Sequence, residues 1–145
     1  MKKLVIFCLG LFVVTGMSSG VMCSSKKHDE STKKSSMIQE LSDIAAIHSV
    51  VASNDYVVIK FSAPWCPHCV KMDPKYHEAA GKFSNVVFCH VNMDNLSVAA
   101  HSDSIVADVQ GLPTLKLFKK GSCIDTLVGY ADTAKIEKFI KNKVG

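Results

Sequence analysis

Two cysteines separated by two residues, Cys66 and Cys69, stand in the run Trp65-Cys66-Pro67-His68-Cys69. Such a pair either closes a small redox-active disulfide ring or supplies half of a metal site. A zinc site needs four ligands, commonly with a second cysteine or histidine pair. Cys89, Cys123, His77 and His90 are present but form no matching pair by spacing, so no metal is assigned. A purely structural disulfide is the third reading. Closing so short a loop removes little unfolded-state entropy, which makes it a poor staple. The surroundings favour exchange chemistry, because the pair follows an apolar, β-branched run and opens a helical pattern. At a helix start, unpaired N–H groups and the helix dipole stabilise a thiolate at Cys66, and the thiolate is the attacking species. Cys69, one turn further in, is placed to resolve the mixed disulfide. Pro67 suits a first helical turn. His68, when protonated, sets a cation beside Cys66 and lowers its pKa further.

The elements around the pair follow from local pattern. Met37 to Leu41 is read as a short strand, and Ser42 as the cap of a helix to about Ala52 with Ile44, Ile47 and Val51 on one face. A rival reading starts that helix at Ser36, with Gln39 closing a capping box. Tyr56 to Ser62 is a buried strand rich in β-branched and aromatic residues. A loop at Ala63-Pro64-Trp65 leads into a helix to about Lys82, where Pro74 is expected to introduce a kink. Val86 to Val91 is a second buried strand. Asp94 to Gln110 is a longer connection with some helix. Thr114–Phe118 and Ile124–Val128 read as a hairpin joined at Lys119 to Ser122. Asp132 caps a last helix carrying Ile136, Phe139 and Ile140. Together these make an α/β fold, a mixed sheet with helices on both faces.

The 145-residue chain leaves room for one domain with additions. Its N-terminus reads as an export signal over residues 1–22. Lys2 and Lys3 precede the apolar run Leu4–Val14, and small residues follow, with Ser18 and Gly20 placed for cleavage after Gly20. The apolar run is too short to span a bilayer. Cys23, followed by Ser24 and Ser25, also fits a lipoprotein anchor, although Met22 is larger than that pattern wants. Residues 23–36, rich in Lys and Ser, read as a polar tether, and residues 37–145 as the folded domain. The formal charge of +4 resides in Lys2, Lys3, Lys26, Lys27, Lys33 and Lys34 against Asp29 and Glu30, leaving the rest balanced. A nucleic-acid partner is therefore unsupported.

From Met37 onward the chain resembles the thioredoxin family. The resemblance rests on Lys60-Phe61-Ser62-Ala63-Pro64-Trp65-Cys66-Pro67-His68-Cys69, on Pro74, and on Phe83-Ser84-Asn85-Val86-Val87-Phe88. It continues in Val91-Asn92-Met93-Asp94, Gly111-Leu112-Pro113-Thr114, Leu117-Phe118-Lys119-Lys120-Gly121 and Gly129. It implies a thioredoxin fold, a central mixed sheet of four to five strands flanked by helices. It implies thiol–disulfide oxidoreductase activity, with Cys66 as nucleophile and Cys69 as resolving thiol. A cis proline at Pro113 should face the pair, with Leu112 and Trp65 beside it as a docking edge. No cofactor is implied beyond the Cys66–Cys69 disulfide.

The chain also departs from the family. Thioredoxins usually carry a buried acid where this chain has Lys60, and often a lysine where it has His90. Lys60 is expected either to turn its amine to solvent at a sheet edge or end, or, with His90, to tune the thiols. A cation there favours the reduced thiolate and makes the disulfide a stronger oxidant. Pro67-His68 resembles the dipeptide of the bacterial DsbA oxidases, while Ala63-Pro64-Trp65 resembles protein disulfide isomerase. Cys89 is expected to be a buried free thiol, unpaired with Cys123. The expected partners are client proteins with thiols or disulfides and a redox donor or acceptor, met by a monomer in the periplasm or cell envelope, with a secretory lumen as the other exported setting. The competing reading is a non-catalytic module that uses the same fold as a docking surface in the envelope.

Overall fold

A computed structural model describes residues 38–144 of the chain. The export signal, the tether, Cys23 and Met37 lie outside the described residues. Five strands and three helices follow in the order β1 (Gln39–Leu41), α1 (Ile44–Ser53), β2 (Tyr56–Ser62), α2 (Pro67–Ala80), β3 (Val87–Asn92), β4 (Thr114–Lys119), β5 (Ser122–Val128) and α3 (Thr133–Val144). Two 3₁₀ turns, Met93–Asn95 and Val98–Ser102, occupy the connection after β3.

The strands form one sheet in the order β1-β3-β2-β4-β5. β1, β3 and β2 run parallel, and β4 and β5 pair antiparallel to them and to each other. This is the mixed sheet expected. The short β1 pairs only with β3, and β2 lies in the middle of the sheet. The β4–β5 hairpin turns at Lys120 and Gly121, both at positive φ, as a two-residue loop of the primed type requires.

Alternation along each strand sorts side chains between two cores. Val57, Ile59, Phe61, Cys89, Val91 and Phe118 pack under α1 and the 96–106 segment. Val58, Phe88, Leu115 and Leu117 pack under α2 and α3, with Met72, Tyr76, Ile136 and Ile140. Two details differ from the sequence reading. Asp43, not Ser42, caps α1: its carboxylate accepts the Ala46 N–H at 2.8 Å, and the helix starts one residue later. Lys60 is not at a sheet edge or end. It sits mid-strand in the central β2, under α2, and is 2 % exposed.

Candidate active site

β2 ends at Ser62, and a short loop carries the chain to Cys66, the N-cap of α2. Its extended backbone and the following Pro67 set the start of the helix. The Cys69 N–H donates to Cys66 Sγ at 3.2 Å and also approaches the Cys66 carbonyl at 3.0 Å. A thiolate at Cys66 would thus meet an unsatisfied helix N-terminus, the setting that lowers a thiol pKa. Cys66 and Cys69 form a disulfide, with Cα atoms 5.2 Å apart. Both are buried, Cys69 the more deeply, while His68 is exposed beside them.

A groove of about 320 Å³ opens on the Cys66 side, lined by Trp65, Cys66, Met93, Val109 and Leu112 among others. Trp65 is 69 % exposed, and its indole N–H donates to Asp94 Oδ1 at 3.1 Å. The Leu112–Pro113 peptide is cis, as the resemblance implied. Pro113 is buried at the start of β4, where its carbonyl accepts the Gly129 N–H at 2.8 Å. The groove therefore joins Leu112, Trp65 and Cys66, while Pro113 lies just behind it.

A second cavity, about 280 Å³, lies on the Cys69 side and is lined by Ser62, Ala63, Pro64, Cys69, Val70, Asp73, His90 and Asn92. The strand register explains the gathering. Glu40, His90 and Lys60 are ladder partners across β1, β3 and β2, so they share one face of the sheet. Ser62, two residues after Lys60, shares it too. Lys60 Nζ pairs with the Asp73 carboxylate and lies 5.3 Å from the Tyr76 ring centre. Burial pulls the Lys60 ammonium down to about 8, with the Glu40 carboxylate pulling the other way. Ser62 Oγ is hydrogen-bonded to His90 Nε2, and His90 Nδ1 meets Glu40 Oε1 at 2.7 Å.

The expected residues thus divide between the two sides of the disulfide: Trp65 and Leu112 on one, Lys60 and His90 on the other. Asp73, Ser62, Glu40 and Asp94 were not anticipated. The available signals were modest: Asp73 stands four residues after Cys69 on the same helix face, and Ser62 shares the parity of Lys60. Cys89 and Cys123 are free thiols, the first buried and the second exposed. Their strands, β3 and β5, are separated by β2 and β4.

The family model described as Thioredoxin matches residues 37–142. The chain is 32 % identical over 106 residues to Thioredoxin 1 of Plasmodium falciparum, covering 71 % of this chain and 98 % of that one. It is 34 % identical over 105 residues to Thioredoxin-1 of Schizosaccharomyces pombe, covering 72 % and 97 %. A protein disulfide-isomerase of Medicago sativa is 32 % identical over 110 residues, which span 71 % of this chain but 21 % of that protein. Among solved structures, a Plasmodium falciparum thioredoxin superposes with a TM-score of 0.64 at 27 % identity, covering 73 % of this chain and 99 % of that one.

Proposed function

The chain belongs to the thioredoxin family and is a thiol–disulfide oxidoreductase, and from that premise we propose that it exchanges disulfides with exported client proteins, Cys66 attacking and Cys69 resolving. The observation that carries this division is the Cys66 sulfur at the start of α2, receiving the Cys69 N–H and facing an open groove, while Cys69 lies deeper. In the reducing direction, the Cys66 thiolate attacks a client disulfide. One client thiolate leaves, and a mixed disulfide forms. The Cys69 thiolate then attacks Cys66 Sγ and releases the second client thiolate. Two electrons pass from the protein dithiol to the client, and the oxidising direction is the reverse.

Trp65 and Leu112 form the docking edge for the client, with the cis Pro113 supporting it from behind, and His68 lowers the Cys66 pKa when protonated. No cofactor takes part beyond the disulfide itself. The N-terminal segment directs the chain to the periplasm or cell envelope, by cleavage or by lipid attachment at Cys23, where it works as a monomer with a redox donor or acceptor. The Lys60 cation, paired with Asp73 at the rim of the Cys69 cavity, favours the reduced form, which sets the couple on the oxidising side of thioredoxins. Thiol-dependent reduction of insulin tests the activity. It is expected to be present in the wild type and lost in Cys66→Ser; a wild type inactive both in reduction and in oxidation of a reduced client would overturn the reading. The potential of the couple then fixes direction. A value near about −270 mV marks a reductase, and one approaching about −120 mV marks an oxidase.

A further inference from the structure

The resolving step needs a proton acceptor. Cys69 is buried, and its thiol must ionise before it can attack Cys66 Sγ. The cavity on its side reaches three titratable partners: Asp73, His90 and, through Asp73, Lys60. They are not equivalent. The Asp73 carboxylate is engaged by the Lys60 ammonium, which weakens it as a base. An unperturbed imidazole, near 6.5, is also closer to a thiol near 8.5 than a carboxylate near 4, and acid–base efficiency favours the closer match.

His90 is built for the role. Glu40 Oε1 can only accept, so His90 Nδ1 carries the proton. In the neutral ring Nε2 then holds a lone pair, and it accepts from the Ser62 hydroxyl. Ser62 is 4 % exposed and lines the same cavity as Cys69. The Glu40 side chain at the other end is 70 % exposed. Serine, histidine and carboxylate therefore form a line from the cavity behind Cys69 to solvent, one residue from each of β2, β3 and β1.

Resting on the reading of Cys66–Cys69 as the exchanging pair, we propose that Ser62, His90 and Glu40 are a proton relay for the resolving thiol. Across the cavity they share, a water carries the Cys69 S–H proton to Ser62 Oγ as the Ser62 hydroxyl proton passes to His90 Nε2. The Cys69 thiolate attacks Cys66 Sγ, the Cys66–client bond breaks, and the client thiolate leaves. The histidinium, held by Glu40, returns its proton to water. In the oxidising direction the histidinium delivers the proton to the departing Cys69 thiolate. Burial holds His90 below its usual 6.5, and the Lys60 and His77 charges act in the same sense, while Glu40 opposes them. The charged and titratable groups facing it are Glu40 on β1, Lys60 on β2, and Cys69, Asp73 and His77 on α2.

The test is rapid mixing of the reduced chain with excess of a small aromatic disulfide, acid quenching, and peptide mass analysis of Cys66. The adduct appears in the first step and leaves in the second. In the wild type the second step is expected to speed up with pH through an inflection below 6.5. His90→Gln should slow it about tenfold or more at pH 7 and erase that inflection. The two proteins should draw together toward high pH, where hydroxide replaces the imidazole as proton acceptor. Glu40→Gln, at an exposed side chain that folding tolerates, should move the inflection to lower pH, because the carboxylate that raises the His90 pKa is gone. An unchanged second step in His90→Gln, an unmoved inflection in Glu40→Gln, or a loss confined to Asp73→Asn would overturn the relay. Absence of the Cys66 adduct in the wild type would overturn the exchange-pair reading instead.

Discussion

Lys60 and Lys116 occupy neighbouring central strands, 2 % and 1 % exposed, and each reaches an aspartate and an aromatic ring. They differ by one step along the β2–β4 ladder. Lys60 pairs with Leu115 and Lys116 with Ile59, so the two ammonium groups lie on opposite faces of the sheet. Lys116 donates to the Ile105 carbonyl at 2.6 Å and pairs with Asp108. It thereby ties down the 103–109 segment, whose end supplies Val109 to the groove beside Cys66. Lys60 pairs with Asp73 at the rim of the cavity that also holds Cys69 and His90. Two buried cations of equal depth therefore have different neighbours: one anchors backbone, and the other pairs with a carboxylate at the rim of the cavity behind a reactive sulfur.

The largest effect that would break this contrast is at Lys116. Lys116→Ala leaves the Ile105 carbonyl without its donor and opens a void, at a cost of about 2–4 kcal/mol in denaturant unfolding. The reduction potential should stay put; a shift would mean that the two faces are not separate. Lys60→Met should do the reverse. It removes the cation proposed to favour the reduced pair, and the potential should fall by about 30 mV, a tenfold change in the exchange equilibrium. Stability should change by less than about 1 kcal/mol, because a similar-sized apolar side chain replaces a costly buried charge and Asp73 remains partly solvated. An unchanged potential in this variant would remove Lys60 from the chemistry.

A pH series sharpens the same point. Below about 8, Lys60 is protonated in the folded and unfolded chain alike, and the burial cost is fully felt. Between about 8 and 10.5 the folded chain sheds that proton while the unfolded chain keeps it, so stability should rise relative to Lys60→Met across this window. Unfolding curves of both proteins at pH 7, 9 and 10 check the sign. The smallest effect concerns Cys89, on the Lys116 face. Burial, with the Glu40 charge adding, pushes its thiol up to about 12. Alkylation of the folded chain at pH 8 should label exposed Cys123 and spare Cys89 until the chain unfolds.

Much of this was legible in the residues. The β-branched run marked β2 to the residue, the cysteine spacing at a helix start pointed to an exchange pair, and the family resemblance implied the cis bond at Pro113. Lys60 was harder, because a lone lysine in a strand ordinarily leads its amine to water. Only the strand order, with β3 on one side and β4 on the other, closes that route. Its partner, Asp73, lies 13 residues away on a helix. Glu40, 50 residues from His90, meets it only through the parallel pairing of β1 and β3. Ser42 and Asp43 are both good caps, and local pattern does not choose between them. The connection from Asp94 to Gln110 is legible only coarsely, because its apolar positions follow neither a helical nor a strand period.

Trp65 has a consequence of a different kind. It is the single tryptophan of the chain, and it lines the same groove as Cys66. All indole fluorescence therefore originates beside the disulfide, where a sulfur–sulfur bond is an efficient quencher. The emission of the whole protein should brighten as that bond opens, so the molecule carries its own optical gauge of its oxidation state.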